Sequence, residues 1–288
     1  MGVVIAATAA RPIRASGIEA CAQAVTAAVA EAGLRPGDVH AVINVGVYRD
    51  SNIVEPAVSA LISKSAGIGL EYTAGAVPTF SFDLMNGPCG VLNAVQVASS
   101  LLTTGSVANV VICAGDTHPS MTPQPYESFP IASVATALVL VSEDSDAGFG
   151  VLQTESISGP VRIEGGVTIS AVGTQGRSTV AVTRSDDHFE SIRLAVDVTQ
   201  RALKSRRLDP GKVALIAGAP FPTFGAEIGT AVGIDDVTVP ECDGDPHTSA
   251  LPLAYGRAAL ARRDLIFVAG GGPTAAAITY RRQLRPGS

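Results

Sequence analysis

Cys89 is the residue best placed to do covalent chemistry. It stands in Asn86-Gly87-Pro88-Cys89-Gly90, where an apolar strand pattern gives way to a helical one. A thiol at a helix N-terminus sits in the positive end of the dipole, near N–H groups that lack intrahelical partners. Both features favour thiolate, the nucleophilic form. Gly87 and Gly90 let backbone approach a substrate, and Pro88 fixes the turn. Cys21 and Cys113 lie inside apolar runs and read as small buried hydrophobes. Cys89 is therefore expected to be more reactive than Cys21, Cys113 and Cys242. None of the four stands in a CxxC pair, so neither a zinc site nor a redox pair is expected, and no metal or cofactor is assigned.

A cysteine nucleophile needs a base, and the chain has only four histidines. His40 sits just inside a strand and His188 just before a helix, places that suit surface or capping roles. His118 follows Gly115-Asp116-Thr117 at a strand end, where cleft residues gather in α/β sheets. His247, in Gly244-Asp245-Pro246-His247, is the best candidate, because imidazole can take a thiol proton near neutral pH. Asp243 and Asp245 are near enough in sequence to orient it. Gly270-Gly271-Gly272 follows an apolar strand. With no Lys-Ser/Thr after it, a P-loop is excluded. Its amides are instead placed to face a developing oxyanion, and the N–H groups of Cys89 and Gly271 form the expected two-donor hole.

The elements that must carry these residues alternate. Val3 to Ala7, Val39 to Val47, Thr79 to Leu84, Asn109 to Ala114 and Ala135 to Val141 read as strands. Gly17 to Ala32, Glu55 to Ala66 and Cys89 to Leu102 read as helices. The order returns with helices at Phe189 to Ser205, Phe224 to Val232 and Ala250 to Ala261. Strands at Val213 to Ala217, Val237 to Val239, Leu265 to Ala269 and Ala275 to Arg281 go with them. This alternation predicts an α/β protein with mostly parallel sheets covered on both faces.

The halves also match in residues. Leu34-Arg35-Pro36-Gly37-Asp38-Val39 parallels Leu208-Asp209-Pro210-Gly211-Lys212-Val213, and Asn109 to Gly115 parallels Asp264 to Gly270. Between these anchors, Pro88-Cys89 and Pro246-His247 fall at corresponding places. A duplication, with halves 1–147 and 148–288, would bring both to helix N-termini facing one cleft.

Taken together, Phe82 to Gly90, Gly105 to Asp116, Gly244 to Pro252 and Val268 to Gly272 resemble the thiolase superfamily, in particular its ketoacyl synthase III branch. The resemblance runs over most of the chain. It implies a duplicated five-layer αβαβα fold, usually dimeric. It also implies an acyl-cysteine formed from an acyl-CoA or acyl-carrier-protein (acyl-ACP) thioester. There are departures. The family's histidine position falls in Gly218-Ala219-Pro220-Phe221-Pro222, which has no His. The family's asparagine position falls on Asp245 or, with a small shift, on His247. Arg11 to Ser16 is short where relatives carry a substrate rim, and Phe129 to Ser133 replaces a Gly-Asp-Gly-like turn. The access path therefore differs or is completed by another subunit.

Composition bounds the partners. Hydrophobic residues make up 47% and charged residues 16%, enough apolar mass for a large core and too much for a disordered regulator. The net charge of -6 and the lack of Trp argue against phosphate-backbone and base-stacking surfaces, so no nucleic-acid partner is expected. No apolar run reaches the length of a membrane span, and free thiols fit the cytoplasm. The reading is an acyltransferase of fatty-acid or polyketide-type metabolism, with Cys89 as nucleophile, His247 as base and Asp245 beside it. Decarboxylative condensation is doubtful. The alternative is a non-catalytic partner in a ketosynthase-like heterodimer.

Overall fold

The computed structural model describes residues 2–53, 55–69, 77–119, 129–159, 163–167, 180–184, 188–258 and 262–283. Strands β1 (Gly2–Pro12), β2 (Ala41–Asn44), β3 (Phe80–Asp83), β4 (Asn109–Gly115) and β5 (Val134–Glu143) form one sheet in the order β1-β5-β4-β2-β3. Next come β6 (Gly148–Phe149), β7 (Gln153–Ser156), and the two-stranded pair β8 (Ile163–Val167) and β9 (Val180–Arg184). The second sheet is completed by β10 (Val213–Ala217), β11 (Val237–Thr238), β12 (Asp264–Gly270) and β13 (Thr274–Arg281). Its order is β11-β10-β12-β13-β6, with β7 also on β13. Read from the other edge, this is the connectivity of the first sheet. The expected parallel character holds only in part, because β2–β3, β2–β4, β10–β11 and β10–β12 are parallel whereas β5 and β13 run antiparallel to their neighbours. Only the parallel pairs need a crossover, and each has a helix in it.

Strand alternation sorts side chains into layers. On β4, Val110 and Ile112 face inward while Val111 and Cys113 face outward; on β12, Phe267 and Ile266 divide in the same way. Helices α3 (Gly90–Thr103) and α6 (Ala250–Arg257) lie between the sheets, where Leu92, Val95, Leu102 and Leu251 pack against both. Helices α1 (Gly17–Glu31) and α2 (Val58–Ser65) cover the outer face of the first sheet. Helices α4 (Phe189–Arg206) and α5 (Phe224–Val232) cover that of the second. The result is the five-layer αβαβα arrangement. No helix among the described residues is long and apolar enough to cross a membrane.

Strand β1 runs on to Pro12, past the expected Ala7, β2 is shorter than the expected Val39 to Val47, and two helix ends also differ from the sequence reading. Helix α2 starts at Val58 rather than Glu55, because Asp83 at the end of β3 accepts from the Val58 and Ser59 amides (3.0 and 2.8 Å) and so fixes where the first turn begins. Helix α6 ends at Arg257, with Ala258 already extended; the rest of the expected helix, to Ala261, lies outside the described residues. Strand β3 is an edge of its sheet, and around it Val77, Phe80 and Met85 are 52%, 41% and 53% exposed, with Phe80 stacked on Phe82. Large apolar side chains beside an unpaired strand edge invite association.

Helix α1 is held by a carboxylate from outside the helix. Asp50 accepts from the Ser16 hydroxyl (2.6 Å), the Gly17 and Ile18 amides (2.9 and 3.0 Å) and the Thr117 hydroxyl (2.8 Å). Removing a helix cap costs roughly 0.5–2 kcal/mol. Asp50→Ala is expected to fall at or above the top of that range, since it strands four donors, and Asp50→Asn should cost less. Urea unfolding followed by circular dichroism checks this, and equal loss for both variants would show that the carboxylate charge is immaterial.

Candidate active site

Cys89 ends a short 3-10 turn, Gly87–Cys89, that leads into α3, and His247 begins another, His247–Ser249, that leads into α6. The two turns pack against each other between the sheets. Both turns start at positive φ: Gly87 at +50, which glycine adopts freely, and His247 at +46, uncommon for a residue with a side chain. Such strain costs about 1–3 kcal/mol and persists only where neighbours enforce it.

The enforcing group is Asp116, just beyond β4 and fully buried. Its Oδ1 accepts from the amides of Val47 and Tyr48 (2.8 and 2.9 Å). Its Oδ2 accepts from the Thr248 amide and hydroxyl and lies 3.0 Å from His247 Nδ1. Burial by itself would raise this carboxyl. The charge of His247, its ring hydrogen bond, the Thr248 hydroxyl and the Tyr48 amide outweigh it and hold Asp116 below the usual carboxylate range. An ionised carboxylate only accepts hydrogen bonds, so His247 Nδ1 donates to it. Nε2 is directed toward Gly87, where an added Cβ would lie 3.6 Å away.

Cys89, His247, Asp245 and Gly271 all line one cleft of about 200 Å³, with Val47, Tyr48, Asn86, Gly87, Pro88 and Ile163 among its other walls. The four residues singled out in the sequence are thus brought together. Their partners differ from those expected. Asp245 accepts from the main-chain N–H of His247 (2.8 Å), while the imidazole ring bonds Asp116. The main-chain oxygen of Asp245 also accepts from Ala132 (2.8 Å), which ties the loop to the 129–133 segment. The Cys89 amide donates to Asn86 O (3.1 Å) and the Gly271 amide to Thr274 O (3.2 Å). A substrate oxygen must therefore share or displace these acceptors. Ser191 at the start of α4 holds the glycine loop, accepting from Gly272 N and donating to Gly272 O (3.0 and 3.2 Å).

The other histidines stand elsewhere. His40 Nδ1 accepts from the Ala108 and Asn109 amides. His188 stacks on Phe221 with ring centroids 3.8 Å apart. His118 packs edge-on against Phe129, and burial pushes its pKa down. None lines the cleft. Asp116 and Tyr48 went unassigned in the sequence. Asp116 had a signal, an acid directly after a glycine at a strand end, but nothing local tied it to a histidine 131 positions away. Tyr48 had none. Its hydroxyl donates to Ile163 O (3.1 Å) and its ring lies 5.8 Å from that of His247.

No protein-family model matches the chain, and no curated protein matches it. Solved structures match along nearly its whole length. The priming β-ketosynthase of the R1128 polyketide biosynthetic pathway gives a TM-score of 0.78 over 99% of this chain and 97% of its own, at 15% identity. The 3-oxoacyl-(acyl carrier protein) synthase III of Pseudomonas aeruginosa PAO1 gives 0.79 over 99% of both chains, at 16% identity. OleA of Xanthomonas campestris, in a structure with lauric acid and lauroyl-CoA, gives 0.69 over 97% of this chain and 99% of its own, at 15% identity. The chain has the thiolase-like fold of the ketoacyl synthase III branch, as the sequence resemblance implied.

The thiol itself departs from the expectation of a ready thiolate. Cys89 is 2% exposed, and burial pushes its pKa up to about 12. A helix dipole is worth about 0.3–1 kcal/mol, under one decade in an equilibrium, and loses to desolvation of this size. Cys242 is exposed, whereas Cys21 and Cys113 are buried. In the resting protein, iodoacetamide at pH 7 is expected to label Cys242 before Cys89. The Cys89 rate should climb about tenfold per pH unit toward its pKa, and Cys21 and Cys113 should stay unlabelled. Peptide mapping across pH 7–10 checks this, and a Cys89 rate flat in pH would mean that its thiolate already forms at neutrality.

Proposed function

We propose that the chain is an acyltransferase that takes an acyl group from an acyl-CoA or acyl-carrier-protein thioester onto Cys89 and passes it to an acceptor, in fatty-acid or polyketide-type metabolism. One observation carries the reading: two packed turns present a cysteine and a carboxylate-backed imidazole to the same cleft. His247 Nε2 takes the Cys89 proton as the sulfur attacks the thioester carbonyl, which is how a thiol with a raised pKa is made nucleophilic at neutral pH. Asp116 stabilises the imidazolium that results. Asp245 holds the main chain of His247 in its strained turn. The oxyanion forms between the amides of Cys89 and Gly271. The fold likeness to ketosynthases and to an OleA structure holding lauroyl-CoA supports a thioester donor.

A second reading is a non-catalytic partner of a ketosynthase-like subunit. It is favoured by the burial of Cys89 and by the absence of an imidazole in Gly218-Ala219-Pro220-Phe221-Pro222. Intact-mass spectrometry after incubation with a panel of acyl-CoA and acyl-carrier thioesters separates the two. An adduct lost in Cys89→Ala is expected. His247→Ala should slow its formation by about two to four orders of magnitude, the span of one general base. Asp245→Asn should cost less. No adduct with any thioester, together with rescue of a partner's activity, would establish the subunit reading.

Assembly follows from the β3 edge. We propose a dimer, with itself or with a ketosynthase-like chain, through Phe80 and its exposed neighbours, covering roughly 2,000 Å² or more as obligate interfaces do. Light scattering at micromolar concentration should give twice the chain mass, and Phe80→Asp should shift it to monomer. A monomer in both cases excludes the self-dimer.

A further inference from the structure

The Gly271 N–H, one of the two oxyanion donors, sits in a stretch of chain with great backbone freedom. Gly270, Gly271 and Gly272 carry no side chains that could hold them. A donor aimed at a developing charge acts best when it is already in place. The loop must therefore be held by its neighbours, and the outer helix layer holds it at both ends. Gly270 closes β12 against the Phe224 ring of α5, where an added Cβ would lie 3.0 Å from Cζ. Phe224 is braced edge-on by Phe221, with ring centroids 5.4 Å apart, and Phe221 by the stacked ring of His188 just before α4. Gly272 is held by Ser191, in the first turn of α4. Ser191 is fully buried, and its hydroxyl accepts from Gly272 N and donates to Gly272 O (3.0 and 3.2 Å). Those two groups belong to successive peptide units on either side of one Cα. A single hydroxyl therefore fixes both torsions of Gly272, whose φ is +69. The turn so formed joins β12 to β13, and in it the Gly271 N–H faces Thr274 O at 3.2 Å. Gly271, between the two anchors, lines the cleft with Cys89.

Resting on the acyltransferase reading above, we propose that Ser191 is a positioning residue for the oxyanion hole. From the outer layer its hydroxyl holds Gly272, and through it the Gly271 N–H keeps its direction toward the thioester carbonyl at Cys89. As the Cys89 sulfur bonds to the carbonyl carbon, the π electrons move to oxygen and the thiol proton is given up. The charge on that oxygen needs the Cys89 and Gly271 amides at hydrogen-bond distance in the same instant. The oxyanion then collapses and the C–S bond of the donor thioester breaks. The departing sulfur takes the bonding pair and a proton. Without the Ser191 hydroxyl, the peptide unit between Gly271 and Gly272 is free to swing. The Gly271 N–H is then still present but no longer aimed.

The test uses the full chain and whichever acyl thioester loads Cys89 fastest, N-acetylcysteamine thioesters included, with loading followed by intact mass. In Ser191→Ala the acylation rate at saturating thioester should fall about 10- to 10²-fold, as misplacement does, and less than for outright loss of a donor. The half-saturating concentration should stay as it is, because the hole acts in the transition state. A second measurement compares two ligands bearing the same acyl chain. The trifluoromethyl ketone accepts the sulfur and becomes a tetrahedral oxyanion, whereas the amide stays trigonal. Ser191→Ala should weaken the ketone roughly tenfold or more and the amide by less than about twofold, as transition-state complementarity requires. A partly unfolded variant would weaken both alike, so their ratio reads the hole and not the fold. An unchanged ratio, or a rate loss carried wholly by the half-saturating concentration, would overturn the role of Ser191 while leaving acylation of Cys89 intact. If the unaltered protein forms no adduct with any thioester and none with the ketone, the acyltransferase reading and the role of Ser191 fall together.

Discussion

Asp116 is the constraint on which the site depends. A fully buried carboxylate is unfavourable unless its lone pairs are filled. Here they are filled by groups from three places: the loop leaving β2, the Thr248 turn, and the His247 ring. Hydrogen bonds to a charged acceptor are worth about 1.5–3 kcal/mol each, enough to offset a histidine held at a left-handed φ. The same bonds join the first sheet to the start of α6, so the register between the halves and the orientation of the base are set by one group.

The layer arrangement explains why such a group exists at that place. Parallel strands deliver their C-terminal ends to one edge of each sheet, and the two central helices begin there. Those helix starts meet because both sheets bury their inner faces on α3 and α6. Close approach at this edge depends on small residues. A Cβ at Gly46 would lie 2.4 Å from the Gly115 carbonyl oxygen, and one at Gly115 would lie 2.8 Å from the Cys21 sulfur. The strand ends that present Val47, Tyr48 and Asp116 to the cleft are spaced by these glycines. The candidate site and the packing therefore draw on the same few positions, and a substitution meant to fill space there displaces the site.

The sulfur and the imidazole divide the chemical work. Burial raises the pKa of Cys89, and in the proposed reaction the carboxylate-backed ring supplies the missing basicity. The thiol shares its cleft with the apolar side chains of Val47, Ile163 and Pro88, surroundings that would disfavour hydrolysis of the proposed acyl-cysteine.

The layers and the principal chemical groups are legible in local residue patterns. The continuous apolar runs at 109–115 and 264–270 and the helical runs after Cys89 and before Arg257 are local patterns, and burial on both faces leaves them few alternatives. The resemblance carried by Asn86 to Gly90 and Val268 to Gly272 was legible because a nucleophile turn and a glycine loop use contiguous residues. The internal match of Pro88-Cys89 with Pro246-His247 points the cysteine and the histidine to one cleft from residue order alone. The hydrogen-bond partners come from long-range packing. The ring of His247 reaches Asp116 because its backbone takes a left-handed turn that no local residue pattern encodes, whereas the acids beside it in sequence point at the main chain or outward. The state of Cys89 was likewise beyond local reading, because a helix start argues for a thiolate and only the surrounding layers supply the desolvation that overrides it. Hydrogen bonds between residues more than a hundred positions apart, and the dielectric around a sulfur, are properties of packing rather than of neighbours in the chain.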